Sequence, residues 1–277
     1  MSTKASRKAM ASKAALGVAI IGVIATLGGC ADRKLTTGSI GRGSARAVDQ
    51  MSGSELQSAA NSLGDAYARK PDDRGVAMRY ASVLQMEGKT DQSLAVMRKL
   101  TIALPRDRKV LAAYGKALAA AEQFEPALDA IRRAQTPEYP DWKLFSAEAA
   151  ILDQLGKSDD ARAMYRKALD LQPNEPSVLS NLGMSYVLSG DLKTAETYLR
   201  TAIGQPAAGS RVRQNLALVV GLQGRFEEAQ QIAQHELSSE QADANMAYLR
   251  TMMAQQNAWS QLEKEDKTPK KKPTATN

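Results

Sequence analysis

Apolar side chains recur at steps of three and four residues along most of the chain, which is the spacing of one face of an α-helix. In the segment EPSVLSNLGMSYVLSGDLKTAETYLRTAI, Leu179 and Tyr186 lie on one such face, and Leu199 and Ile203 lie on a second. Gly190 separates the two faces, at a point where a helix end favours a left-handed backbone. The segment therefore predicts two antiparallel helices joined by a short turn.

This helical pair recurs every 34 residues, with no insertion between units. A small residue marks the first helix of each unit, in the column Ala81, Gly115, Ala149, Gly183 and Ala217. A second column in the second helix reads Ser93, Ala127, Ala161, Ala195 and Ala229. The turn between them reads Gly88, Glu122, Gly156, Gly190 and Gly224. Small residues at both columns would let the two backbones of a unit approach closely, so five stacked hairpins are expected over about 74–243.

The pattern Leu-Gly-x-x-Tyr, followed by a glycine and spaced alanines, resembles the tetratricopeptide repeat. That resemblance implies an all-α fold, a superhelical solenoid of antiparallel helix hairpins, over the body 55–263. The segment ELQSAANSLGDAYARKP fits a lone second helix that caps the start, and residues 242–263 fit a final amphipathic cap with Trp259 over the last exposed face. No strands are expected.

Four residues depart from the repeat pattern. Glu122 replaces the turn glycine, Glu148 and Arg213 occupy columns that are usually apolar, and Glu236 breaks a column that otherwise holds alanine or leucine. Either these units are distorted, or the charged side chains leave the core towards solvent.

Residues 1–29 have the composition of a secretory signal peptide, with a basic start and then a short apolar stretch. A spanning helix requires ~20 apolar residues, and this stretch is shorter. The letters LGGC, ending at Cys30, resemble a bacterial lipobox, which implies that this single cysteine carries a diacylglycerol group and becomes the first residue of the mature chain. The alternative is an incidental or buried cysteine, although a thiol behind an apolar leader has no core to join.

The segments that flank the body are predicted to be a flexible tether and a disordered tail. Residues 30–54 are rich in Gly, Ser, Thr and Arg and have the composition of a flexible tether from Cys30. Residues 264–277 are rich in Lys and Pro and are expected to form a disordered tail. Ala31 follows the cysteine, where an aspartate would resemble an inner-membrane retention signal, so we expect a lipid anchor in the bacterial envelope, facing the periplasm, with the outer membrane favoured.

The formal net charge of +7 does not indicate a nucleic-acid-binding protein, because the excess cations lie in the signal peptide, the tether and the tail, while the body is close to neutral. Catalytic constellations are also missing from the sequence. His235 is the only histidine, so zinc sites and histidine-based triads are excluded by inventory. We expect no cofactor, no metal and no enzymatic activity; a wall-active enzyme is a distant alternative.

A binding surface is predicted on the first helices of the fourth and fifth units, which would line a concave groove. Asn181 and Asn215 are 34 residues apart, and a primary amide both donates and accepts hydrogen bonds, so a row of amides suits the backbone of a bound peptide. The neighbouring groove positions are Met184, Leu188, Arg211, Gln214 and Leu218. This mostly apolar trough with one cation would accept an amphipathic helix or a chain end. The alternative is that the asparagines are ordinary surface residues.

The final third of the body permits a narrower comparison. The stretch RVRQNLALVVGLQGRFEEAQQIA, followed by ANMAYLRTMMAQQNAW, resembles the tight-adherence (Tad, or Flp) pilus-assembly lipoproteins, which pair a lipobox with such a repeat body. The resemblance implies assistance in building a type IVb pilus, with the Tad secretin or another pilus component as the protein partner. The alternative is a general envelope lipoprotein of the same fold that serves outer-membrane protein insertion, cytochrome maturation or peptidoglycan synthesis.

Overall fold

The structure is a computed structural model that describes residues 52–267, with side chains described as far as residue 255. The signal peptide, Cys30, nearly all of the tether and the tail beyond residue 267 lie outside the described residues, as does the side chain of Trp259. The described part contains twelve helices and no strand, which confirms the all-α fold class. The helices are α1 Gly53–Arg69, α2 Arg74–Met86, α3 Thr90–Ala103, α4 Arg108–Ala120, α5 Phe124–Ala134, α6 Trp142–Gln154, α7 Ser158–Leu171, α8 Pro176–Leu188, α9 Leu192–Ile203, α10 Ser210–Leu222, α11 Phe226–Gln234 and α12 Ser239–Lys267.

The helix starts keep the 34-residue period of the sequence. The first helices of the five hairpins begin at Arg74, Arg108, Trp142, Pro176 and Ser210, and the second helices begin at Thr90, Phe124, Ser158, Leu192 and Phe226. A carboxylate caps four of the first helices by accepting a hydrogen bond from a backbone amide in the first turn: Asp73, Asp107, Asp141 and Glu175. An anion at this end also complements the helix dipole. A sequence period and a local capping rule thus set the same boundaries.

The chain divides into two compact units, Met1–Ala161 and Arg162–Asn277, with the division inside α7. In the first unit each helix from α1 to α6 packs on the next, and the first helices α2, α4 and α6 also touch in order. In the second unit the helices from α8 to α12 pack successively, and α10 contacts both α8 and α12. Neighbour-on-neighbour packing of this kind is the organisation of a repeat protein.

The close approach expected within a hairpin is present at Gly183. A methyl group added there would lie 3.0 Å from the carbonyl oxygen of Ala195 and 3.0 Å from Cγ of Leu199. Ala195, Leu199 and Ala202 are fully buried, so α8 and α9 meet through small side chains with one leucine filling the gap. The boundaries at the ends of the body differ slightly from the sequence expectation, because α1 begins at Gly53 and α12 continues to Lys267, four residues into the segment 264–277.

The turn at Glu122 keeps the geometry of its glycine counterparts. Its φ angle is 58°, against 73° to 82° at Gly156, Gly190 and Gly224. The amide of the following residue, Gln123, donates to the carbonyl of Leu118 at 2.9 Å, and the same bond recurs in every other hairpin. The second hairpin is therefore not distorted, because Glu122 adopts the left-handed backbone conformation that glycine adopts in the other turns.

The other departures pair with opposite charges instead of distorting the fold. Glu148 is only 7% exposed, and its Oε1 accepts a hydrogen bond from Nε of Arg132 on α5 at 2.7 Å. The expectation that this side chain leaves the core for solvent is therefore wrong. Arg213 is half-buried and its Nη1 donates to Oε1 of Glu236 at 2.7 Å, so two departures in the same repeat neutralise each other.

Candidate partner-binding surface on α8 and α10

The predicted groove residues lie on two first helices of the second unit that contact each other. α8 and α10 both present positions 2, 5, 6, 9 and 13 of the helix on one side, a spacing that keeps them on a single face. On α8 these positions hold Ser177, Ser180, Asn181, Met184 and Leu188, and on α10 they hold Arg211, Gln214, Asn215, Leu218 and Leu222. We call these ten residues the α8–α10 face.

Asn181 is the accessible one of the two predicted asparagines. Its side chain is half-buried, and it makes no hydrogen bond to any part of the chain that the structure describes. An amide that is partly withdrawn from water and unpaired can both donate to and accept from the backbone of a bound polypeptide.

Asn215 has a different environment from the one that the sequence indicates. It is only 7% exposed, and its Nδ2 donates to Oγ of the buried Ser180 on α8 at 3.0 Å. The bond joins the first helices of consecutive repeats inside the packed region. Of the two predicted amides, one is thus engaged within the fold, and Ser180, its partner, was not identified from the sequence because a serine at this column carries no periodic signal.

Apolar side chains supply the rest of the face. Leu188 and Leu218 are half-buried, and Met184 is half-buried against the core that α8, α9 and α10 share. Leu222, which is not among the predicted groove residues, lies four residues beyond Leu218 and also packs against that core. Continuing the same helical step from Leu218 would have identified it.

The polar edge of the face is formed at the start of α10. Arg211 is exposed and forms no ion pair within residues 52–255. Gln214 is exposed, and its Nε2 donates to Oγ of Ser210 at 3.2 Å. The remaining charged residue of α10, Arg213, is held by Glu236, so the guanidinium of Arg211 is the charge that this edge offers.

The C-terminal end of α8 is held by Arg162 on α7. Its Nη2 donates to the carbonyl oxygen of Ser185 at 3.1 Å and to Oγ of Ser189 at 2.6 Å. The guanidinium also lies 4.3 Å from the ring centre of Tyr186, which is stacked on Tyr198 at 5.6 Å. A cation at the negative end of a helix dipole and above an aromatic ring stabilises the position of α8.

The second helices α9 and α11 are joined by a charged network. Glu196 accepts hydrogen bonds from Arg225, Gln223 and Arg200, and Glu228 bridges the two arginines. Burial raises the pKa of Glu196, but the hydrogen bonds from Arg225, Gln223 and Arg200 outweigh it and lower the pKa to about 2. The network fixes the fifth hairpin against the fourth and so holds α8 and α10 in register.

The described residues contain neither a metal-binding cluster nor a membrane-spanning helix. No cluster of three or more histidine, cysteine, aspartate or glutamate side chains in this part could hold a metal ion. Within the same residues no helix combines the length and apolar character needed to cross a bilayer. His235 is exposed at the end of α11.

The first unit contains a recess of about 400 Å³ between α5 and α6. It is lined by Arg132, Glu148, Phe145, Gln135, Thr136 and two prolines. Its two charged groups, Arg132 and Glu148, are paired with each other.

Comparison with known proteins gives a family match for part of the chain and a fold match for most of it. Residues 146–211 match the tetratricopeptide repeat family. No curated protein matches the chain. Among solved structures, PilW, described as a widely conserved type IV pilus biogenesis factor, is 18% identical with a TM-score of 0.59, covering 70% of this chain and 92% of its own. A tetratricopeptide repeat protein from Parabacteroides merdae is 14% identical with a TM-score of 0.60, covering 71% and 78%. A thermophilic protein of Thermus thermophilus is 19% identical with a TM-score of 0.55, covering 63% and 97%. At these identities the likeness establishes the fold.

Proposed function

We propose that the chain is a non-enzymatic scaffold that binds a polypeptide partner on the α8–α10 face, since residues 146–211 match the tetratricopeptide repeat family and the chain has the fold of such proteins. The observation that carries this proposal is the half-buried, unpaired amide of Asn181 beside the half-buried side chains of Leu188 and Leu218. The amide can hydrogen-bond to backbone groups of a ligand, and the neighbouring aliphatic side chains can cover apolar side chains of that ligand. This combination suits a polypeptide better than a small polar metabolite.

We further propose that the partner belongs to a Tad/Flp pilus assembly system, and that the chain is tethered to the outer membrane through lipid on Cys30. The resemblance of residues 211–233 and 244–259 to Tad assembly lipoproteins supports the first part. The likeness of fold to PilW, a pilus biogenesis factor, agrees with it. The lipobox-like LGGC supports the second part, since several acyl chains on one residue give stable anchoring.

Photo-crosslinking in intact cells tests the binding surface. A photoreactive amino acid replaces Leu218 on the α8–α10 face, and a matched position, the exposed Gln231 on α11, serves as the control. We expect the probe at position 218 to capture a discrete protein that the probe at 231 does not. The variant Asn181→Ala should reduce that capture severalfold without changing the far-ultraviolet circular dichroism. Equal capture at both positions would refute the surface.

The identity of the captured protein tests the pilus assignment separately. A secretin or another Tad component, together with loss of surface pili in cells that lack this chain, is the expected result. Capture of outer-membrane insertion, cytochrome maturation or peptidoglycan synthesis proteins by position 218 would keep the surface and overturn the pilus assignment. Turnover of wall fragments by the purified chain would overturn the assignment as a non-enzyme.

A further inference from the structure

The first helices of the first unit present the same five helix positions as the α8–α10 face, but with different chemistry. In α2 they hold Gly75, Met78, Arg79, Ser82 and Met86; in α4, Lys109, Ala112, Ala113, Lys116 and Ala120; and in α6, Lys143, Ser146, Ala147, Ala150 and Gln154. We call these fifteen residues the basic face. Since α2 contacts α4 and α4 contacts α6, the three rows lie side by side.

Four of these residues are exposed cations and none is an acid. They are Arg79, Lys109, Lys116 and Lys143. Most of the other positions are glycine, alanine or serine, and those of α4 and α6 are largely half-buried. The result is a row of charged side chains separated by small residues, whereas the α8–α10 face holds mainly amides and long aliphatic side chains with one cation, Arg211.

The cations of the basic face are not neutralised within the described residues. Arg79, Lys109 and Lys116 form no ion pair there, and Lys143 lies 5.4 Å from the ring centre of Trp142 instead of near an acid. The nearest anion along α4, Asp107, is already engaged by Nη1 of Arg74 at 2.8 Å and by the first-turn amides of the helix.

Acids elsewhere on the same helices are also committed. Glu148 of α6 is buried against Arg132, and Asp141 caps α6 by accepting from the amide of Lys143. Asp73 caps α2 in the same manner. Asp153 on α6 is half-buried and has its own interaction within the fold. The basic face therefore presents uncompensated positive charge.

We propose that the basic face binds an acidic segment of a partner polypeptide in extended form. Lys109 and Lys116 are two helical turns apart, roughly 10 Å along α4, and a chain in the extended polyproline II form advances about 9 Å in three residues, which is one turn and returns the side chain to the same side. Carboxylates at every third residue of a bound segment would thus meet successive lysines. The alanines between them have no long side chain that would keep the bound backbone away.

The composition of the face favours a polypeptide over a nucleic acid. Binding of single-stranded nucleic acid relies on aromatic side chains on which bases stack, and none of the fifteen positions is aromatic. A membrane surface is disfavoured as well, because the exposed apolar side chains that would insert into a bilayer are limited to Met86 at the end of α2.

This surface was not evident from the sequence because net charge averages over both helices of each hairpin. None of the described acids of the first unit lies on the basic face; they lie in α1, caps, turns, second helices and other positions of α6, and in a sum they cancel the lysines and arginines, so the body as a whole appeared neutral. Only the assignment of each charge to an exposed or buried position separates a basic face from that background.

Binding of a fluorescein-labelled synthetic peptide with glutamate at every third position, measured by fluorescence anisotropy on the full chain, tests this proposal. We expect saturable binding that weakens as salt rises. The variant Lys109→Glu/Lys116→Glu should bind about tenfold more weakly, because two attractive charges become repulsive. The matched control is Arg98→Glu/Lys99→Glu, two exposed cations on the second helix α3 with the same change in net charge, for which we expect less than about a twofold effect.

Three results would overturn the proposal: no binding of the glutamate peptide, equal loss in the two variants, or tighter binding of single-stranded DNA or anionic phospholipid vesicles than of the peptide. Circular dichroism of both variants confirms that the helices are retained. The outcome does not depend on partner capture by Leu218, because the basic face is tested with a defined peptide and with changes confined to α3 and α4.

Discussion

The left-handed residue Glu122 provides the sharpest test of how the repeats are built. Four of the five hairpins place glycine in this turn, and Glu122 adopts the same backbone conformation with φ at 58°. For an L-residue this conformation costs about 1–2 kcal/mol, because Cβ crowds the following carbonyl oxygen. The side chain of Glu122 is exposed and forms no ion pair within residues 52–255, so nothing visible compensates that cost.

Replacing this residue by glycine should therefore stabilise the protein. Glycine removes the crowding but gives the unfolded chain more freedom, which costs about 0.4–1 kcal/mol. The difference predicts that Glu122→Gly raises the free energy of unfolding by about 0.5–1 kcal/mol. The reciprocal change, Gly156→Ala, should lower it by about 1 kcal/mol, since a Cβ at Gly156 would meet no atom within 4 Å and the effect is confined to the backbone.

Urea unfolding followed by circular dichroism at the helical band measures both changes. Because repeat proteins need not unfold in one step, hydrogen exchange of the Gln123 amide, which donates to Leu118, reports the same turn locally. Glu122→Ala keeps the strained conformation and should stay within about 0.5 kcal/mol of the parent protein. If Glu122→Gly is neutral or destabilising while Gly156→Ala destabilises, the glutamate side chain must contribute a contact that outweighs the strain, and the reasoning fails.

The remaining predictions concern charge, a buried hydrogen bond and the anchor. The pKa of Glu196 is lowered from 4.5 to about 2, so the ionised carboxylate stabilises the fold fully above pH 4.5, and this stabilisation is lost as the pH falls towards 2. Glu196→Gln should therefore lower the free energy of unfolding by about 1 kcal/mol at pH 7, allowing for solvent screening. The urea midpoints of the variant and the parent protein should converge near pH 2. Asn215→Ala and Ser180→Ala should each cost about 1–2 kcal/mol, with a double variant less destabilised than their sum; strict additivity would argue against the bond. Cys30→Ser should abolish incorporation of a labelled fatty acid and mislocalise the chain, and a variant that still takes up label would exclude the lipobox interpretation.

The fold followed closely from the sequence because its signals are periodic and repeated. Apolar spacing and small-residue columns recur five times and the turn glycine recurs four times, so an error in one unit is corrected by the others, and the helix starts follow the same period. The caps Asp73 and Asp107 add a local signal at the same boundaries.

Side-chain environments were less predictable because they depend on a single partner. The burial of Glu148 depends on Arg132, sixteen residues earlier, and no periodic pattern links the two. The burial of Asn215 depends on Ser180 in the preceding repeat. Sequence spacing placed both residues on the correct helices, but it could not show which partner forms a hydrogen bond with the buried amide or carboxylate.

The charge-neutral appearance of the body was misleading for the same reason. A lysine on an exposed first-helix position and an aspartate on a second helix cancel in a sum although they face different surroundings. Lys109 and Lys116 are recognised as parts of one surface only in the structure, where Ala112 and Ala113 between them are half-buried on the same side of α4.

The regular spacing of the first helices separates two kinds of position. The inward-facing residues of each hairpin, such as Gly115 and Leu118, maintain the framework, while most of the five outward positions vary without disturbing it. Recognition chemistry is therefore interchangeable between repeats: exchanging a handful of side chains would turn an aliphatic row into a cationic one, or the reverse. Selection can retune one repeat for a new ligand while the others keep their own, and an engineer could do the same.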